Sequence, residues 1–137
     1  MGASRRGTAW TISILIYALI SLLSSIPAAS LPETGIPDFI PHGMEYFALA
    51  FFFIQVFAPL RRWTSPAAAL AILAVLGLID EWHQLSVPGR VFSWLDLLFD
   101  VLGAMAGMAA YRILERATAT AGGGPFRRLL GRFILQR

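Results

Sequence analysis

Four apolar runs, each about as long as a membrane is thick, constrain the fold of this chain more than any other feature. They span residues 8–26, 42–60, 66–84 and 93–114. A helix needs about 20 apolar residues to cross the hydrocarbon core of a bilayer. Only 14% of the residues are charged, whereas a soluble domain has about 25%. The runs therefore predict an all-α, polytopic membrane protein: a four-helix transmembrane bundle of antiparallel neighbours.

The arginines predict which way this bundle lies in the membrane. The 11 basic residues are all arginine, and every one except Arg90 lies before the first run, between the second and third, or near and after the end of the fourth. By the positive-inside rule these segments are cytoplasmic. Both termini are then cytoplasmic, and segments 27–41 and 85–92 are extracytoplasmic. Since the arginines flank apolar runs, we expect a multi-pass protein of the cell membrane that does not bind nucleic acid.

The sequence divides near residue 116 into a four-span domain, residues 1–116, and a cytoplasmic tail, residues 117–137. The tail begins with small residues and glycines, which are typical of a flexible linker. Apolar residues at helical spacing and arginines follow, and they predict an amphipathic helix on the anionic inner leaflet. A disordered basic tail is the alternative interpretation.

The first 35 residues allow two other interpretations. Arg5 and Arg6, an apolar stretch and the small residues 28–30 are also typical of a secretory signal, whose cleavage would leave three spans. Residues 31–35 spell Leu-Pro-Glu-Thr-Gly, a sortase recognition motif. Because two more spans follow, we interpret this motif as a turn-rich outer loop in which proline and glycine set the geometry.

Polar side chains are concentrated at the outer ends of the predicted helices. In chain order they are Asp38, His42, Glu45, Tyr46, Asp80, Glu81, His83, Gln84, Arg90, Asp96 and Asp100. Within each run most recur at intervals of three and four residues, so they share a helix face. A charge facing lipid at the bilayer centre costs about 2.5–3.5 kcal/mol. We therefore expect these faces to meet in one polar pocket that opens to the outside.

The fourth run carries two further structural signals. Gly103 and Gly107 continue the stripe of its acids as a small-xxx-small pair, which permits close approach of a neighbouring helix. Ser93 is the expected N-cap of the helix. A purely structural role for the acids is also open, in which Arg90 neutralises Asp96 or Asp100.

The polar residues resemble the pattern of the VanZ-like family, named for a teicoplanin-resistance protein. The first family pattern resembles Asp-Lys-x-x-His-x-x-x-Tyr, and this chain has Phe39 in place of the lysine. The matching residues are Asp38, His42 and Tyr46, then Asp80, Glu81, Gln84, Pro88-Gly89-Arg90, Asp96, Asp100 and Gly103. The resemblance covers roughly residues 10–112. It implies a small polytopic membrane protein linked to lowered teicoplanin susceptibility, without an established reaction.

Two functions follow for the pocket. One is an enzyme acting on a lipid-linked or cell-envelope substrate, with Asp80, His83 and His42 as acid/base candidates. The other is a non-catalytic binding or accessory protein. In both, Arg90 would hold a phosphate or carboxylate through two parallel hydrogen bonds. The other substrate-binding candidates are Asp38, Glu45, Tyr46, Glu81, Gln84, Asp96 and Asp100.

No cofactor is expected from the sequence. A divalent metal held by His42, His83, Asp80 and Glu81 is a third hypothesis, since these side chains include suitable zinc ligands. The chain lacks the His-Glu-x-x-His spacing of many zinc sites. The expected partners are membrane lipids and a lipid-linked envelope precursor or glycopeptide. A small proton-coupled transporter also fits acids inside a membrane.

Overall fold

The computed structural model describes residues 3–32, 35–57 and 64–120, and this part of the chain contains four long helices. In chain order they are α1 (Ala3–Ser24), α2 (Phe39–Phe57), α3 (Thr64–Gln84) and α4 (Trp94–Thr120). A short 3-10 helix, Ala28–Ser30, lies between α1 and α2. All four long helices are sufficiently long and apolar to cross a membrane. The predicted all-α architecture with four membrane spans is confirmed.

Local sequence signals explain where the helices begin and end at one end of the bundle. The Ser93 hydroxyl accepts a hydrogen bond from the Asp96 backbone N–H at 3.2 Å, which confirms the predicted N-cap of α4. Pro41 lies in the first turn of α2, where its fixed φ suits a helix start. After α3 the chain turns at Pro88 and Gly89, and Gly89 has a φ of +77° that favours glycine.

The fourth helix is longer than its apolar run. Residues 117–120, predicted to begin a flexible linker, continue the helix to Thr120. The length of an apolar run reflects the thickness of the membrane. A helix can extend beyond that run as long as its residues favour the helical conformation. The predictions for the rest of the tail, for the turn with Arg61 and Arg62, and for Glu33 and Thr34 of the sortase-like motif lie outside the described residues.

Helix α2 contacts each of the other three helices, and its largest interface is with α4. A Cβ atom added to Gly103 would overlap the backbone carbonyl of Gly43. A Cβ atom added to Gly107 would likewise overlap the backbone carbonyl of Phe47. The predicted close approach through these two glycines is therefore confirmed, and it fixes the first turns of α2 against the first half of α4.

The core of the bundle is apolar along most of its length. Its buried members include Ile20, Leu49, Ile54 and Leu73, and Tyr46 lies among them with no exposed surface. Large apolar side chains also cover the outer faces of the helices. An extensive apolar exterior of this kind is expected of a surface in contact with lipid.

Polar groups collect where α1 and α3 end and where α2 and α4 begin. We call this the polar end. The Ser24 hydroxyl on α1 reaches Asp80 on α3, and His42 on α2 reaches Asp100 on α4. Polar side chains from all four helices therefore lie at the same end of the bundle, as predicted. The predicted extracytoplasmic position of this end remains a prediction.

Candidate functional site

Three helices bring His42, Glu81 and Asp100 together inside the polar end. His42 Nδ1 lies 3.1 Å from Asp100 Oδ1 and 3.8 Å from Glu81 Oε1. Glu81 and Asp100 have no exposed surface, and His42 is 7% exposed. We call these three residues the buried cluster. Two carboxyl groups and an imidazole that are shielded from solvent in this way can exchange protons or coordinate a cation.

Backbone features hold the two acids of the buried cluster in place. Glu81 Oε2 accepts a hydrogen bond from the Ser93 backbone N–H at 2.7 Å, which ties the end of α3 to the start of α4. A Cβ atom at Gly77 would lie 2.9 Å from Asp100 Oδ2, so Asp100 occupies space that only glycine leaves free.

The buried cluster contains two oxygens that lack a hydrogen-bond partner. Glu81 Oε1 and Asp100 Oδ2 are inaccessible to solvent and bond to no group in the described part of the chain. Buried polar atoms in folded proteins are normally hydrogen-bonded. Donors of the described residues therefore do not satisfy these two oxygens.

Asp80 precedes Glu81 in sequence but points to a different neighbour. Its Oδ2 accepts a hydrogen bond from the Ser24 hydroxyl at 2.7 Å and one from the Gln84 amide at 3.4 Å. Asp80 and Gln84 are both 2% exposed. Successive helical residues are about 100° apart around the axis, so Asp80 faces α1 while Glu81 faces α2 and α4.

The three acid/base candidates from the sequence are not brought together. His42 belongs to the buried cluster, Asp80 is bonded to Ser24, and His83 is exposed at the end of α3. His83 Nε2 lies 2.9 Å from the Ser25 hydroxyl. A single His83–Asp80–His42 acid/base constellation, and the predicted metal site that included His83, do not match this arrangement.

A cleft of about 230 Å³ lies beside the buried cluster, between the end of α1, the loop after it and the start of α2. Its apolar walls include Leu23, Ile26 and Ile36, and its polar lining consists of Ser24, Asp38, His42, Glu45 and Arg90. We call it the cleft. The predicted pocket residues Asp38, Glu45 and Arg90 lie here, and His42 belongs to both the cleft and the buried cluster.

The turn that carries Arg90 is held against the end of α1. The Ala28 backbone N–H donates to the Pro88 carbonyl at 3.2 Å, and Gly89 lies against the Ala28 side chain. Arg90 Nε donates to the Ile26 carbonyl at 3.4 Å. Among the described residues Arg90 forms no ion pair. Its guanidinium is therefore held in the cleft without a carboxylate within 4.0 Å among the described residues, although Glu45 of the same cleft is near enough to interact with it electrostatically.

The remaining predicted site residues support the polar end from other positions. Asp96 is buried in the first turn of α4, and Tyr46 lies in the core. Sequence reasoning missed Gly77 and the roles of Ser24 and Ser25 as partners of α3. A glycine inside an apolar run, three residues before Asp80, and two serines at the end of another run were the signals available.

The sequence was compared with known protein families, curated proteins and solved structures. The sequence model of the VanZ/LLP1 family matches residues 9–115. This match includes every residue of the buried cluster and of the cleft. No curated protein and no solved structure matches the chain.

Proposed function

The chain belongs to the VanZ/LLP1 family, and we propose that its cleft binds the headgroup of an envelope lipid or lipid-linked precursor. The observation that carries this proposal is Arg90, a cation that forms no ion pair within 4.0 Å among the described residues, in a cleft with apolar walls. An arginine guanidinium forms two parallel hydrogen bonds with a phosphate or carboxylate. The ligand would therefore carry such an anion.

The rest of the cleft favours an amphiphile with more than one polar group. Leu23, Ile26 and Ile36 offer apolar contact for the first carbons of a lipid chain. Asp38 and Glu45 can accept hydrogen bonds from hydroxyl or ammonium groups. A phosphate flanked by sugar hydroxyls or an amine would complement this set, whereas a plain anion would leave the two acids unmatched.

The proposal includes an extracytoplasmic position for the polar end. Arg6 lies near the start of α1, and Arg112 and Arg116 lie near the end of α4, opposite the polar end. These positions support the orientation by the positive-inside rule. Because the chain has no cysteine, single-cysteine variants test it directly. In intact cells an impermeant maleimide should label Ser86→Cys but not Gly7→Cys; the reverse pattern would invert the topology.

The binding test compares two arginines at opposite ends of the bundle. Purified protein in nanodiscs is titrated with phosphatidylglycerol, phosphatidylethanolamine and undecaprenyl phosphate, and binding is measured by native mass spectrometry. A hydrogen bond to a charged group is worth about 1.5–3 kcal/mol, so Arg90→Gln should weaken binding of the preferred lipid by roughly ten- to a hundred-fold. Arg112→Gln removes the same charge far from the cleft and should have little effect. Equal effects of both variants would refute the proposal.

A reaction on the bound lipid is the second candidate function. The observation that favours it is the position of His42, which lines the cleft and contacts Asp100 in the buried cluster. Such a pair can transfer a proton to or from a ligand. Incubation of the wild type with the lipid that binds best, followed by mass analysis, should yield a product that Asp100→Asn does not form. Saturable binding without any product would leave binding as the function.

We also propose a role in glycopeptide susceptibility, as the family resemblance implies. Expression in a teicoplanin-susceptible host should raise the concentration of teicoplanin that inhibits growth. Arg90→Gln, at matched membrane abundance, should remove that increase. An unchanged inhibitory concentration with abundant wild-type protein would separate this chain from that role.

A further inference from the structure

We propose that His42, Glu81 and Asp100 form a binding site for one divalent cation. One ligand atom from each residue lies within 4.8 Å of the other two, and the three come from α2, α3 and α4. This is not the ligand set that the sequence indicated, because His83 is exposed and Asp80 is bonded to Ser24.

The charge balance of the cluster calls for a cation. Glu81 and Asp100 are both fully buried, and His42 is the only basic group within 4.0 Å of either in the part of the chain that is described. Burying two carboxylates beside one imidazole is unfavourable unless their charges are compensated. A divalent cation would balance both carboxylates while His42 stays neutral, as an imidazole ligand must be.

The unpaired oxygens point to the same conclusion. Glu81 Oε1, the oxygen that faces His42, receives no hydrogen bond from any described residue although it is inaccessible to solvent. The other carboxylate oxygen, Oε2, is fixed by the Ser93 backbone N–H. Such a bond orients a carboxylate ligand and leaves its second oxygen free for the metal.

The cluster would have to contract to hold a small cation. In a tetrahedral zinc site with bonds of about 2.0–2.2 Å, two ligand atoms lie about 3.3–3.6 Å apart, so a pair at 4.8 Å must close by about 1 Å. His42 Nδ1 already lies 3.1 Å from Asp100 Oδ1 and 3.8 Å from Glu81 Oε1, and side-chain rotation would supply the rest. One imidazole and two carboxylates suit Zn²⁺ or Mn²⁺, whereas Mg²⁺ and Ca²⁺ prefer all-oxygen sites.

The position of His42 would place the cation beside the cleft, with a coordination position left open. Because His42 also lines the cleft, an ion at the buried cluster would lie next to the proposed ligand site. Three protein ligands leave at least one coordination position for water or a ligand atom, as in catalytic rather than structural zinc sites.

The test begins with the wild-type chain, so that it does not depend on a variant that folds. Protein purified in detergent without chelator is analysed for metals by mass spectrometry, then stripped and titrated separately with Zn²⁺, Mn²⁺ and Mg²⁺. We expect about one Zn²⁺ or Mn²⁺ per chain and much weaker binding of Mg²⁺. A wild type that neither retains nor binds either ion at about 100 μM overturns the proposal.

Neighbouring acids on α3 provide the matched variants. Glu81→Gln should weaken binding of the cation at least a hundred-fold, and Asp80→Asn, an equally buried acid one residue earlier, should retain it. Circular dichroism and size-exclusion profiles establish that both variants are folded. Equal retention or equal loss of the ion in the two folded variants contradicts the assignment. Lipid binding by Arg90→Gln is measured separately without metal, so the two proposals can fail independently.

Discussion

The buried cluster and the cleft share His42 but differ in how far their charged side chains are exposed to solvent. In the cluster, two acids with no exposed surface depend on one imidazole. In the cleft, Arg90 is half-buried and Asp38 is exposed, so water screens their charges. Charge in the first region is coupled to folding, whereas charge in the second is available to a ligand. Substitutions in the two regions should therefore separate stability from binding.

The largest effect is expected where the buried acids lose His42, their only basic partner among the described residues. In chelator-treated, metal-free protein, His42→Ala should lower the free energy of unfolding by about 3–5 kcal/mol, because it leaves Glu81 and Asp100 without compensation. His83→Ala removes the other histidine of the chain, which is exposed, and should change stability by less than about 0.5 kcal/mol. Unfolding in mixed micelles with increasing denaturing detergent measures both. Similar losses in the two variants would mean that the cluster is not the more strongly coupled region.

A smaller effect is expected from crowding the same cluster without changing its charge. In Gly77→Ala the new methyl group would lie 2.9 Å from Asp100 Oδ2 and 3.1 Å from Leu97 Cδ1. Overpacking of this kind costs about 1–3 kcal/mol. Gly7 has nothing within 4 Å of an added Cβ, so Gly7→Ala should be neutral or stabilise the helix by up to about 1 kcal/mol. The same unfolding assay compares the two, and a neutral Gly77→Ala would show that Asp100 can move away without cost.

The same two regions show which features of the structure could be predicted from the sequence. Run lengths predicted four helices, because membrane thickness limits helix length. The alternating direction of the spans predicted that their polar residues share one end. Gly103 and Gly107 predicted the close α2–α4 contact, and Ser93 predicted a helix start. These signals depend on single residues or on the spacing of residues along one helix.

What the sequence did not predict is which acid meets which partner. Asp80 and Glu81 are adjacent acids of similar chemistry, and the rotation of α3 decides which one joins His42. That rotation depends on packing at residues such as Gly77, where the absence of a side chain matters. One predicted pocket thus became a buried cluster, a separate Ser24–Asp80 contact and an open cleft.

The adjacent serines at the end of α1 give a finer test of burial. Ser24 bonds to buried Asp80, and Ser25 bonds to exposed His83. Ser24→Ala should cost about 1 kcal/mol, near the lower end of the penalty for an unsatisfied buried group, because the Gln84 amide still reaches Asp80. Ser25→Ala should cost less than about 0.5 kcal/mol, since water replaces the lost partner. Thermal unfolding of both variants in one detergent provides the comparison, and a larger loss for Ser25→Ala would contradict it.

The smallest effect on stability should come from the cleft itself. Arg90 is half-exposed, and its side chain is held by one long hydrogen bond to the Ile26 carbonyl. Arg90→Gln should therefore change the free energy of unfolding by less than about 0.5 kcal/mol, although it is expected to weaken lipid binding strongly. Unfolding and lipid titration on the same preparation measure the two quantities together. If Arg90→Gln instead destabilised the protein as much as His42→Ala, the cleft would be part of the folded core, and its arginine would be structural.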